Sequence, residues 1–155
     1  MVIKVVSSGQ AGVERAALDV AAANDIAIGG WCPKGSLARE KIDYPLVEGD
    51  SPSPTKAIEA NVRDSDGTLL LTWGDMSGSV LKVIAIAARL KKALHIVKMN
   101  ESPTTAAAEA WATKYNTKVL NVAGPTPTEV PNAYEEAHRY LKLLLVGDGE
   151  PAAEE

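Results

Sequence analysis

Val5 to Ala21 reads VVSSGQAGVERAALDVA. A short β-branched run breaks at Ser7-Ser8-Gly9-Gln10-Ala11-Gly12 and passes straight into an alanine-rich segment. Val13, Ala16, Ala17, Val20 and Ala21 share one face at helical spacing. Strand, glycine turn and helix in that order open an α/β unit. Glycine lets the backbone turn sharply and approach a ligand closely. The N–H groups at a helix start, with the positive end of the dipole, hold an anion. The plain alternative is a tight turn with no ligand. The loop is neither a full G-x-G-x-x-G nor a P-loop with its lysine, so it names neither a dinucleotide nor ATP.

Outward from this stretch, Val2 to Val6 is the first strand and Gly12 to Asn24 the first helix, with Asn24 as its stop. Ile26 to Ile28 is a second strand. Residues 29–54 (GGWCPKGSLAREKIDYPLVEGDSPSP) form a long loop, with Tyr44 to Val47 as an edge segment inside it. A loop beyond about 12–15 residues in a compact domain is functional or mobile. Thr55 to Asp64 is helical, with Ala57, Ile58 and Val62 inward. GTLLLT, Gly67 to Thr72, is a continuous apolar strand of the fully buried type. Ser79 to Lys92 is the clearest helix: Val80, Val83, Ile84, Ala87 and Leu90 form its stripe, and Arg89, Lys91 and Lys92 suit its C-terminal dipole. Ala93 to Lys98 is a strand, Pro103 to Tyr115 a helix with proline in its first turn, Lys118 to Val122 a strand, and Pro131 to Val146 the last helix. The alternation predicts an α/β protein, a three-layer α/β/α sandwich around a mostly parallel sheet of about five strands. One ligand-binding domain spans 1–146, and 147–155 (GDGEPAAEE) is an acidic, flexible tail.

The 155 residues suffice for one sizeable core. A net charge of -4 argues against a nucleic-acid binder. One cysteine and two histidines are too few for a closed zinc site. No run reaches the roughly 18 apolar residues of a membrane span, and MVIKVV enters a strand with no signal peptide. A cytoplasmic protein is expected. Alanine-rich helix faces permit a homo-oligomer.

Ligands of open α/β sheets bind at the carboxyl ends of the strands, where strand order reverses. Four of the five expected strands end in glycine plus small polar residues: Ser7-Ser8-Gly9-Gln10-Ala11-Gly12, Gly29-Gly30-Trp31-Cys32-Pro33-Lys34, Trp73-Gly74-Asp75-Met76-Ser77-Gly78-Ser79 and Asn121-Val122-Ala123-Gly124. The candidate binding residues are therefore Ser7, Ser8, Gly9, Gln10, Gly12, Gly30, Trp31, Lys34, Arg63, Gly74, Ser77, Gly78, Ser79 and Asn121. Gly9 to Gly12 and Ser77 to Ser79 would cradle an anion, and Lys34 and Arg63 would neutralise it. Gln10 and Asn121 would read hydrogen-bonding groups, and Trp31 would either cover a flat ligand or anchor the long loop. Cys32 lacks a histidine nearby in sequence to activate it, and His95, mid-strand, reads as a packed residue unless the fold brings the two together. Asp64 and Asp66 read as turn caps before they read as ligands.

SSGQAGVERAALD, GGWCPKG, NVRDSDGTLLL and VLNVAGP together resemble the putative molybdenum carrier family, a Rossmann-like group related to LOG-type, lysine-decarboxylase-like proteins. The resemblance spans most of residues 2–146. It implies a Rossmann-like binder of a phosphorylated pterin- or nucleotide-like compound, and the role it suggests is molybdenum cofactor handling. The family's first loop is closer to SGGQTGVDRAALD, so Ser8 stands for a glycine, Ala11 for a threonine and Glu14 for an aspartate. Ala57-Ile58 replaces an Arg-Thr pair, and Ser77-Gly78-Ser79 a GG-T loop. LOG-type relatives carry a catalytic glutamate in PGGxGTxxE. The nearest stretch here, WGDMSGSVLK, has Lys82 at that place, which cannot perform the same acid–base step.

The expectation is a carrier of a small phosphorylated ligand, with the 30–54 loop gating release and no metal held by protein side chains. The rivals are a nucleotide-processing N-glycosidic hydrolase using Asp64, Asp66, Asp75 or Glu14, and a sensor of a nucleotide derivative.

Overall fold

The computed structural model describes residues 1–37, 43–75 and 78–147. Five strands form one parallel sheet: β1 (Lys4–Val6), β2 (Ala27–Gly29), β5 (Gly67–Thr72), β6 (Ala93–Lys98) and β7 (Val119–Ala123), in the order β2-β1-β7-β5-β6. The expected five strands are present, and every pairing is parallel. All six residues of β5 are buried, as a strand covered on both faces must be.

Side chains alternate across the sheet. Val5, Leu69, Leu71, Val97, Leu120 and Val122 project to one face and pack with helices α1 (Val13–Ala23), α4 (Ala106–Lys114) and α5 (Ala133–Val146). Leu70, Ala123, Leu94 and Ile96 project to the other, against α2 (Pro54–Asp64) and α3 (Ser79–Leu90). The result is the three-layer sandwich read from the sequence. α1 presents Ala16, Ala17 and Ala21, all fully buried. Their small side chains let the helix lie close to the sheet, and a Cβ on Gly124 would stand 2.7 Å from Val13. No helix among the described residues is long and apolar enough to cross a membrane.

Several boundaries differ from expectation by one to three residues. α4 begins at Ala106 because a 3-10 turn, Met99–Glu101, and a left-handed Ser102 precede Pro103. α5 begins at Ala133, with Asn132 at its N-cap. The long loop is not structureless. Trp31–Cys32 (β3) and Val47–Glu48 (β4) form a separate parallel ribbon, whose backbone bonds continue from Val47 N–H to Gly30 O (2.9 Å) and from Gly49 N–H to Cys32 O (2.9 Å). The expected edge segment at Tyr44 to Val47 thus lies slightly downstream. Tyr44 and Tyr134 both donate their hydroxyls to the Asp19 carboxylate, pinning the segment before β4 and helix α5 to α1.

Numbering strands from β5 clarifies the topology. Starting there, the sheet reads β6-β5-β7-β1-β2, a 2-1-3-4-5 order. That is a doubly wound arrangement whose strand order reverses beside β5 and β7. The chain simply begins part-way round it.

Candidate functional site

A cavity of about 220 Å³ opens at the carboxyl ends of β1 and β7, next to the reversal between β7 and β5. Ser8, Gln10, Ala11 and Glu14 come from the β1–α1 turn and the first turn of α1. Pro33 follows β3, Pro54 and Ile58 belong to α2, Ser79 starts α3, and Gly124 and Thr126 follow β7. Its walls are mostly apolar. A larger groove of about 690 Å³ lies at the opposite edge of the sheet, between α4, the end of α5 and Val2. No glycine is among its described lining residues, whereas the smaller cavity is lined from the glycine-bearing strand-to-helix turns and is the candidate site.

The first loop is tightly cross-tied. Ser7 is buried; its hydroxyl donates to Glu14 O (2.9 Å) and accepts from Gly9 N–H (3.1 Å). Gly12 (φ 99°) passes so close to the β7 loop that a Cβ would be 2.5 Å from Pro125 O. Gly30 (φ 127°) abuts Ser7 in the same way, a Cβ there lying 2.3 Å from Ser7 O. Both are positions that only glycine fills. Gln10 Nε2 donates to Ser8 O (3.2 Å) and to the buried Ser36 hydroxyl (2.9 Å). Arg15 folds its guanidinium back onto Gly9 O (3.0 and 3.2 Å).

Asn61 joins this loop to the ribbon. Its Oδ1 accepts from Trp31 N–H (2.8 Å), while Nδ2 donates to Trp31 O (3.0 Å) and Ser8 Oγ (3.1 Å). This residue was missed. Its signal was present: an asparagine in line with Ala57, Ile58 and Val62 puts a polar group on an apolar stripe, where it must find partners.

Glu14 is the one ionisable side chain among the described lining residues. Its Oε1 accepts the Gln10 N–H (3.2 Å), and Oε2 accepts no hydrogen bond among the described residues. Burial pushes its carboxyl up to about 7, against the lowering effect of the Gln10 N–H and Arg15. The carboxylate therefore sits over the very helix start where the sequence suggested an external anion.

Several expected site residues lie elsewhere. Ser8, Gln10 and Ser79 line the cavity; Ser7, Gly9, Gly12 and Gly30 belong to the tied loops around it and do not line it. Lys34 and Arg63 do not line it. Arg63 is held by the neighbouring Asp64 (2.7 and 3.0 Å) and lies over Trp31, 6.0 Å from the ring centroid. Trp31 donates its indole N–H to Asp64 (2.9 Å), so it caps the ribbon's outer side and not the cavity. Asp64 is drawn below the usual carboxylate range, chiefly by its hydrogen bond from Arg63. Asn121 is buried in the sheet, donating to Thr68 Oγ1 (3.1 Å). Gly74 is exposed, and Gly78 packs toward Glu129. Ser77 lies outside the described residues, as does the tail beyond Gly147. Asp66 accepts the Lys118 and Val119 N–H groups (3.0 and 2.8 Å), a strand cap as expected. Asp75 borders a separate cavity of about 100 Å³ with Trp73 and Glu129.

Cys32 is fully buried among Leu18, Leu46 and their neighbours, and burial pushes its thiol up. His95 stacks on Trp111 at 5.5 Å, with burial lowering its basicity. The two sit in different clusters and form no nucleophile pair. Among the described residues no three His, Cys, Asp or Glu side chains gather closely enough to hold a metal ion.

The model of the circularly permutated YpsA SLOG family matches residues 5–145. The chain belongs to that family. The permutation in the SLOG family's description agrees with the 2-1-3-4-5 order recovered by starting at β5. The chain is also similar to the crystal structure of a "Putative molybdenum carrier protein" from Syntrophus aciditrophicus SB, with 32% identity and a TM-score of 0.86. That likeness covers 93% of this chain and 95% of the other. No curated relative matches at a comparable level.

Proposed function

We propose that this protein is a non-catalytic binding protein that holds a small heterocyclic ligand, of the pterin or nucleotide class, in the 220 Å³ cavity. The name of its structural relative favours a molybdenum-related cargo. The observation that carries the reading is convergence: loops from β1, β3 and β7 and the starts of α2 and α3 meet around one small, mostly apolar space at the carboxyl ends of the strands, next to the strand-order reversal. Lys82, at the position of the LOG-type glutamate, bridges α3 to Thr55 of α2 (3.3 Å) and supplies no carboxyl to the cavity.

The site suits the ring of such a ligand better than its phosphate. No lysine or arginine is among the described lining residues, and the Gln10 N–H is already taken by Glu14. Native mass spectrometry of the purified full chain, with molybdenum analysis of the same sample, tests the reading. A bound pterin or nucleotide mass supports it. A protein that is empty, and that no pterin or nucleotide stabilises in a thermal-shift screen, overturns it.

One observation favours a second reading. A carboxyl lifted to about 7 in a cavity is what acid–base catalysis uses. A nucleotide hydrolase would rest on Glu14, because Asp64 and Asp66 are engaged away from the cavity and Asp75 borders a different one. Turnover of a nucleoside monophosphate that Glu14→Gln abolishes while binding persists would select the enzyme.

A further inference from the structure

We infer that the cavity recognises a flat heterocycle by two adjacent N–H groups on its edge, as in the 2-amino-4-oxopyrimidine edge of a pterin or guanine, and that the Glu14 carboxylate is the acceptor. The inference rests on the binding reading above and names the ligand chemistry of the same site.

The argument begins with what an ionised carboxylate can do. It only accepts hydrogen bonds, through two oxygens with room for about four. Glu14 uses one of these positions, Oε1 with Gln10 N–H. Oε2 and the second lone pair of Oε1 remain for a partner that must be a donor. Two parallel N–H···O bonds to one carboxylate form the strong, geometrically selective fork. Leaving a carboxylate with so few partners beside apolar walls is costly, and a donor pair offsets that cost where an anion would raise it.

The surroundings agree. Pro33, Pro54, Ile58 and Gly124 give the cavity apolar walls. Its volume lies below the usual range of about 300–1,000 Å³ for ligand pockets, which suits a fused ring and not a whole dinucleotide. Ser8, Ser79 and Thr126 bring hydroxyls for the ring's remaining polar atoms. Among the described residues, the charged group that bears on Glu14 is Arg15, on the same helix and turned onto Gly9 O. The described lining residues from the β3 loop, α2, α3 and the β7 loop are all uncharged.

Two ligand chemistries then respond oppositely to pH. A donor edge needs the ionised carboxylate, so its affinity falls about tenfold per pH unit on the acid side of the Glu14 midpoint. An anion needs the protonated form, so its affinity rises in the same direction. The test titrates the full chain with pterin, with lumazine (the same ring with a 2-oxo group) and with inorganic phosphate, following pterin fluorescence and calorimetry. The expected result is pterin binding that weakens on acidification. Lumazine should bind at least about tenfold more weakly, because a site built for a donor is left unpaired without it. Glu14→Gln should abolish the pH dependence and most of the affinity, with Glu14→Asp restoring part of both.

Equal affinity for pterin and lumazine, or pterin binding independent of pH, overturns the inference. So does phosphate binding that strengthens on acidification without pterin binding, which leaves the binding-protein reading standing. No binding of any probe, together with an empty native mass spectrum, overturns both.

Discussion

Glu14 has a consequence for stability as well as for binding. Its carboxyl titrates near 7 in the folded protein, against an ordinary value of 4.5. Below the lower value both folded and unfolded chains hold the proton, and the residue costs nothing. As pH rises between the two values the unfolded chain releases its proton first, so stability falls; above the upper value the loss is complete. Allowing for partial exposure, Glu14→Gln should be about 1–3 kcal/mol more stable above that window, with stability flat across it. Urea denaturation on either side of the window measures this, and a wild-type stability that does not change between them would refute it. Gly30 tests the opposite kind of position. With φ at 127° and no room for a Cβ beside Ser7 O, Gly30→Ala should cost about 3 kcal/mol or more by the same measurement. The sequence shows that glycines and small polar residues gather at this edge. It does not show where the charges go. Arg63 looks like a ligand for an anion until Asp64, its immediate neighbour, is seen to hold it. A charge's direction depends on which partner the fold brings nearest, and periodicity carries no such information.

At the scale of elements, what was legible followed from burial. GTLLLT lacks alternation because both faces of β5 are covered, and the small-residue face of α1 announced close packing on the sheet. Of the β3–β4 ribbon only β4 was read, as an edge segment at Tyr44 to Val47, because two residues per strand leave no period to read. Its anchor is Asn61. Removing that side chain strips partners from the Trp31 N–H, the Trp31 carbonyl and the Ser8 hydroxyl at once. Asn61→Ala should therefore cost about 2–4 kcal/mol. Asn61→Asp should recover only part, since it keeps the acceptor and loses both donated bonds. Proteolysis within residues 31–53 should accelerate in both variants. A midpoint for Asn61→Ala indistinguishable from wild type would show that water replaces these bonds.

For the whole molecule, the 2-1-3-4-5 sheet has its natural opening before β5. Residues at the two ends of the fold, Val2 and Val146, border the same groove, so a short linker can join them. A permutant of residues 1–147, closed by such a linker and cut between Ser65 and Asp66, should fold with unchanged circular dichroism and a stability within about 2 kcal/mol of the parent. Failure to fold would mean that the β1-first order is needed and not merely allowed. The present order also sets a timetable. β1 lies inside the sheet, yet one of its two neighbours, β7, is the last strand in the chain; Lys4 must wait for Val119. Until then β1-β2 and β5-β6 are two half-sheets with no shared edge. During synthesis the nascent chain therefore carries two unsealed strand edges almost to the end, and a fragment ending before β7 should remain soluble only when bound by a chaperone.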